Sequence, residues 1–280
     1  MLLQRIISGV VLVALLVGTV FFFPIPLVAI IISLLIGSGI WEFYRLAENK
    51  GLRPYSIYGI ISGAFLCSAI YVLRAKNCSI DTDDILSVIL FFILAVTLVK
   101  YAFKKDGSSV IINSAVTMLG ILYVSFLFTF IIKLRYITNS DAGKGWVMSL
   151  FIITKISDIC AYFVGTKFGR HKLIPRISAN KSLEGASGSV VGSLVVSLLL
   201  TQCFLRELTL GMAVLLGLLI SIVGQAGDLI ESLMKRDAQI KDSGKFVPGL
   251  GGVLDFMDSL LFTGPVMYLF FLLIKDRLVI

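Results

Sequence analysis

Residues 6–41 read IISGVVLVALLVGTVFFFPIPLVAIIISLLIGSGIW, two apolar runs parted only by Pro24-Ile25-Pro26. Each run approaches the roughly 20 residues that a helix needs to cross a bilayer. Proline fixes φ and lacks an amide donor, so the Pro-Ile-Pro triplet marks a turn and the pair reads as an antiparallel helical hairpin. Arg5 followed by an apolar run also has the outline of a secretory signal peptide. No polar, small-residue cleavage region follows, and the prolines lead straight into another apolar run, so the first segment reads as a retained span.

Working outward, the same pattern repeats along the chain. Of 280 residues, 58% are hydrophobic and 15% charged, against roughly 45–50% and about 25% in an ordinary soluble domain. Apolar segments of near-spanning length fall at 6–23, 27–41, 55–73, 85–103, 110–132, 146–168, 187–204, 210–226 and 256–274. The expected fold is therefore all-α, a polytopic integral membrane protein with about nine transmembrane helices. No repeat of fixed period and no low-complexity linker interrupts it, so 1–280 reads as one membrane domain. Segments 1–132 are mostly featureless apolar helices, whereas polar residues gather in 146–275, where function is expected.

The net charge is +8, but the basic residues lie between spans and not on a soluble arm, which argues against nucleic acid as the partner. Anionic headgroups of the bilayer, or a phosphate-bearing substrate, suit such a distribution better. Counted over alternate loops, about 16 lysines and arginines fall on one side and about half as many on the other. That asymmetry predicts a cytoplasmic N-terminus, an external C-terminus and both long basic loops in the cytoplasm of a plasma or inner membrane. Cys67, Cys78, Cys160 and Cys203 show no Cys-x-x-Cys spacing and read as ordinary buried small residues. His171 is the only histidine, which argues against a zinc site or a histidine-based triad. Trp41 and Trp146 lie near span ends and read as interfacial anchors.

The densest chemistry runs from Gly224 to Gly264, GQAGDLIESLMKRDAQIKDSGKFVPGLGGVLDFMDSLLFTG. If the helix from Leu210 continues to Arg236, then Asp228, Ser232 and Lys235 share one face, as do Asp255, Asp258 and Ser259 on the next helix. The connecting loop carries Lys241, Asp242, Lys245 and the glycines of Pro248-Gly249-Leu250-Gly251-Gly252. Aspartates without histidine or cysteine neighbours are hard oxygen ligands suited to Mg2+, above all when a phosphate chain completes the coordination. Lysines and Arg236 would neutralise phosphate charge, and glycines would expose amide donors to an anion. Taken singly, each residue reads equally well as part of a basic juxtamembrane loop with helix-terminal aspartates. Taken together, they describe a site for a metal-bound nucleoside triphosphate.

A second constellation, SDICAYFVGTKFGRHKLIPRISANKSLEGASGS, spans Ser157 to Ser189. Lys155 and Asp158 stand three residues apart inside an apparent span, as an intramembrane ion pair or the wall of a polar pocket. Lys167, Arg170, Lys172, Arg176 and Lys181 follow, then Ser182, Glu184 and Gly185 at the start of another helix, an arrangement suited to an anionic headgroup or triphosphate.

The run Ser232-x-x-Lys235-Arg236, then Lys241-Asp242, Pro248-Gly249-x-Gly251-Gly252, Asp255 and Asp258-Ser259 resembles the signature of the phosphatidate cytidylyltransferase family. The upstream run Asp158, Ala161-Tyr162-Phe163-x-Gly165, Gly169, Ile177-Ser178, Lys181-Ser182-x-Glu184-Gly185 is similar to that family's other characteristic segment. The resemblance covers roughly the last 130 residues well. Leu250 stands where the family usually has histidine, Phe256 where it has arginine, and Ala179 where it has proline. The resemblance implies transfer of a cytidylyl group from CTP to phosphatidic acid at the cytoplasmic margin. It further implies Mg2+ held by Asp228 and Asp255 with Asp258 assisting, charge stabilisation by Lys235, Arg236 and Lys241, and positioning by Asp242 and Ser232. Asp158, Lys181, Ser182, Glu184, Gly249, Gly251, Gly252 and Ser259 complete the expected substrate contacts. A transporter lined by the intramembrane charges, or an inactive scaffold of the same fold, are the alternatives, and homo-oligomerisation stays open.

Overall fold

A computed structural model of the chain describes residues 18–19, 22–75, 82–103, 109–137, 141–175, 177–244 and 251–275. Eight membrane-length helical stretches lie among the described residues. They are built from α1 (Ile25–Asn49), α2 (Ser56–Ala75), α3 (Thr82–Ala102), α4 (Val110–Gly120) continuing through a π-helical turn (Ile121–Phe126) into α5 (Leu127–Arg135), α6 (Asp141–Phe168), α7 (Leu183–Leu200), α8 (Leu210–Asp237) and α9 (Val253–Ile274). Eight of the nine expected spans are thus present, while the first, 6–23, lies almost wholly outside the described residues.

Several helices run past their expected ends, because polar residues continue the helix beyond the apolar segment. The segment expected at 27–41 extends to Asn49, and that expected at 210–226 extends to Asp237, as the shared face of Asp228, Ser232 and Lys235 requires. One element was not expected. The basic loop folds into an antiparallel hairpin of β1 (Lys172–Ile174) and β2 (Ser178–Ser182).

Between lipid-embedded helices the hydrophobic effect offers little, so close packing and hydrogen bonds carry the association. Gly188 and Gly192 let α7 approach α6 closely. A Cβ at either would run into Val164 or Cys160. The hydroxyls of Ser157, Ser189 and Ser221 then link α6, α7 and α8 at 2.5 and 2.9 Å, and Thr154 meets Thr263 of α9 at 3.2 Å. The most buried span is α9, which packs on α1, α5, α6 and α8.

Two readings need correction. Trp146 is 1% exposed, packs on Phe270 and Phe271 and donates its indole N–H to Glu207 at 3.1 Å, so it is a core residue whose polar edge has found a partner inside the protein. Trp41, by contrast, is exposed, with the Arg45 guanidinium over its ring. Of the cysteines, Cys67 is buried, Cys160 half-buried and Cys203 exposed, since Cys203 falls in the turn after α7 and not within it. Cys78 lies outside the described residues.

Candidate active site at the helix ends

Three helices bring carboxylates to one end of the bundle. Asp258, the sixth residue of α9, stands within electrostatic reach of Asp228 on α8 and Asp158 on α6, with Lys155 among them. Ser259 joins two of these acids, its hydroxyl lying 3.1 Å from Asp258 Oδ1 and 3.3 Å from Asp158. Lys155 donates to Asp158 at 3.3 Å and to the Phe256 carbonyl at 2.9 Å, with its ammonium 4.6 Å from the centre of the Phe256 ring. Phe256, where the family usually has arginine, is therefore buried beneath a lysine contributed by another helix.

The hairpin closes over this group from the side. Lys181 on β2 pairs with Asp228 at 2.7 Å, and Ser232 reaches Asp228 at 3.4 Å. Ser182 caps α7 by accepting the Gly185 amide. Glu184 accepts the Arg170 and His171 amides and meets the His171 ring at 2.7 Å, tying the hairpin to α7. Lys181 thus joins the carboxylate group, whereas Ser182 and Glu184 secure the strand that carries it.

Asp255 stands apart from the other aspartates. Its Oδ1 accepts from Lys235 at 2.5 Å, and its Oδ2 accepts from the Ser243 amide, the Ser243 hydroxyl and the Gly252 amide at 2.7–2.9 Å. As the third residue of α9 it reaches back to the capping position, the reciprocal half of a capping box. Gly251 has φ +109°, a conformation that a side chain would strain, and a Cβ there would collide with Asp255 Oδ2. Of the three expected metal ligands, Asp228, Asp255 and Asp258, Asp255 is therefore the one held away from the carboxylate group. Both oxygens of Asp255 are engaged, and among the described residues no three His, Cys, Asp or Glu stand close enough to share one ion.

Of two further acids, Glu42 was missed in the sequence, whereas Glu231 stands out there beside Asp228 as a costly carboxylate at a span end but without an assigned role. Glu42 on α1 is 2% exposed. It accepts the Val253 and Leu254 amides at 3.0 and 2.7 Å, satisfying the open amides at the start of α9 from a helix more than 200 residues earlier, and shares the single Ser243 hydroxyl hydrogen with Asp255 Oδ2, each 2.9 Å away. A carboxylate at position 42 with a long apolar run before it was the available signal. Glu231 is fully buried, its Oε2 bonded to Lys235 at 3.0 Å and its Oε1 without a hydrogen-bond partner. Tyr123, on the π-helical turn, lies within electrostatic reach of Glu231 and Asp258, its hydroxyl likewise unpartnered. Segments before 132 are therefore not featureless.

Arg236, Lys241 and Asp242 are exposed at the rim of the turn, with Arg236 reaching only the Ile240 carbonyl at 3.5 Å. Gly252 packs against Glu42 and Ser243. Arg176, Lys245, Gly249 and Leu250 lie outside the described residues, as does the side chain of Ala179.

Membrane-length helices that gather aspartates and lysines at one end define a polytopic membrane protein with a charged site at one margin. A family model described as "Cytidylyltransferase family" matches residues 3–274, and the chain belongs to that family. Among curated proteins it is 32% identical to a phosphatidate cytidylyltransferase of Bacillus subtilis, with 95% of this chain and 96% of the relative aligned. It is 31% identical to one from Chlamydia trachomatis, with 99% and 94% aligned. An uncharacterized protein of Escherichia coli, YnbB, is 44% identical over 133 residues, 48% of this chain and 44% of the relative.

Proposed function

We propose that this chain transfers a cytidylyl group from CTP to phosphatidic acid, giving CDP-diacylglycerol and pyrophosphate. The observation that carries the reading is the meeting of Asp158, Asp228 and Asp258 with Lys155 and Lys181 at one end of the helices, in a chain related over nearly its whole length to phosphatidate cytidylyltransferases. A phosphate oxygen of phosphatidate attacks the α-phosphorus of CTP, the bond to the β-phosphate oxygen breaks, and pyrophosphate leaves without a covalent enzyme intermediate.

The donor set suits Mg2+ in a reduced form of the expected site. Mg2+ is commonly held by one or two carboxylates with substrate phosphates supplying the rest, and Asp228 and Asp258 would fill that role. Asp158, Asp228, Glu231, Asp255 and Asp258 are five acids against three lysines, Lys155, Lys181 and Lys235, which leaves two carboxylates formally uncompensated. The bound ion would draw the phosphates together and offset charge on the leaving pyrophosphate. Lys181 is placed to exchange its Asp228 contact for a phosphate oxygen. Lys155 holds Asp158 in place, Lys235 braces α8 against α9, and Arg236 and Lys241 supply positive charge at the rim. The excess of basic residues on this side supports a cytoplasmic N-terminus and active site, where CTP and the phosphatidate headgroup meet.

The test is conversion of labelled phosphatidic acid by the purified chain in detergent, with CTP and Mg2+ varied. Asp228→Asn and Asp258→Asn should each lower kcat on the order of 10²-fold or more and weaken the response to Mg2+. Folded wild type without turnover would overturn the assignment.

A further inference from the structure

Lys155, Lys181 and Lys235 stand among the acids of the site, and they are held differently. Lys155 is shared between Asp158 and the Phe256 carbonyl, with the Phe256 ring beneath its ammonium. Lys235 is shared between Glu231 and Asp255. Lys181 has one partner among the described residues, Asp228 Oδ2 at 2.7 Å. Its ammonium is buried yet makes no well-aligned hydrogen bond, so charge alone holds it there.

The backbone that carries Lys181 is pinned. Ser182, the next residue, caps α7, the Leu183 amide bonds to the His171 carbonyl, and Glu184 accepts the Arg170 and His171 amides. What can move is the side chain, a point charge on a flexible four-carbon stem. Lys181 is therefore the one lysine of the three whose head can change acceptor without breaking a second contact.

Asp228 is open to another cation as well. Its Oδ1 meets only Ser232, at 3.4 Å, and its side chain is 37% exposed. Mg2+ approaches a carboxylate oxygen to about 2.1 Å and carries twice the charge of an ammonium. Bound to this carboxylate together, the ion and the Lys181 ammonium would stand within roughly 6 Å of each other and repel. The ammonium that gives way stays tethered at the end of β2, and the phosphate chain that accompanies the ion offers it a new anion.

We propose that Lys181 competes with a divalent cation for Asp228, holding the carboxylate until the ion takes it and then passing to phosphate. Metal and nucleotide thereby bind together more readily than metal alone. The proposal rests on the reading of Asp228 as a metal ligand and not on the cytidylyl transfer itself.

Mn2+ binding, followed by the electron paramagnetic resonance of the free ion, tests this with the purified full chain in detergent and no CTP. Lys181→Met and Lys181→Gln should each lower the Kd for Mn2+ several-fold, and Lys181→Arg, which keeps the charge, should restore the wild-type value. Lys172 is exposed on β1 and pairs across the hairpin with Ser182. Its charge is screened by solvent, so Lys172→Met should leave the Kd near that of wild type. In the turnover assay Lys181→Met should reach half its maximal rate at lower Mg2+ than wild type, with kcat lower by about tenfold. A lysine that only kept the hairpin in place would weaken metal binding and turnover together. Mn2+ binding that is unchanged, weakened or undetectable in both neutral variants, or tightened equally by Lys172→Met, would overturn the proposal. Because the Mn2+ measurement involves no reaction, tighter binding by the neutral variants of a chain that turns over nothing would uphold the competition and sink only the assigned activity.

Discussion

Glu42 shows how much one side chain can organise. Its carboxylate satisfies two helix-terminal amides and a hydroxyl in a buried setting, where a donor left unpaired costs about 1–3 kcal/mol. Glu42→Ala should destabilise the protein by on the order of 2–4 kcal/mol, seen as a lower melting temperature in detergent. Glu42→Gln, which retains one acceptor oxygen, should recover part of that loss. Lys235→Met poses a different question, because it strips the partner from Glu231 and from Asp255 Oδ1 at once. Turnover should fall steeply, and adding Asp255→Asn should lower it much less than the two single effects combined, since both residues belong to one contact. A double-mutant cycle on kcat/KM that proved additive would contradict the geometry. At this scale the sequence was half legible. Asp228, Ser232 and Lys235 fell on a common face because helical periodicity alone puts them there. Asp255 and Asp258 look equivalent on the same grounds, yet the turn before α9 captures the first and leaves the second to the carboxylate group. Periodicity cannot show that difference, because it depends on where Ser243 and Gly252 arrive in space.

Among elements, the tightest juncture is that of α6 and α7, and it holds both Asp158 and the hairpin bearing Lys181 in register with α8. Gly192→Leu would force a side chain into Cys160. Overpacking of this kind costs about 1–3 kcal/mol, and here it would also move Asp158 relative to Asp258. The variant should therefore lose activity at temperatures where circular dichroism still reports a folded protein. The spans themselves were readable because hydropathy records what lipid requires of a helix. The hairpin was not, because β1 and β2 are only three and five residues long and are held by a loop-to-helix bond through Glu184 instead of by alternating apolar residues. Trp146 was misread for a related reason: nearness to a span end suggests an interface, but Glu207 and the α9 phenylalanines offer it a better environment inside.

For the whole molecule, the site occupies one membrane margin and Cys203 the other, since α7 carries the chain from Ser182 to the turn that holds it. In a background with the other cysteines replaced, Cys203 should react with a membrane-impermeant maleimide added outside intact cells. A cysteine placed at Lys241, in a chain with Cys203 also replaced, should react only after the membrane is opened. The reverse pattern would invert the orientation argued from the basic loops.

The bond between Glu42 and the start of α9 also bears on how the molecule is made. Ribosomes deliver α1 to the membrane long before Val253 and Leu254 exist, so during most of synthesis an acid waits at the bilayer margin without its partners. Only arrival of α9 gives Glu42 its partners, which makes delivery of that helix, and not insertion of any earlier span, the event that assembles the site.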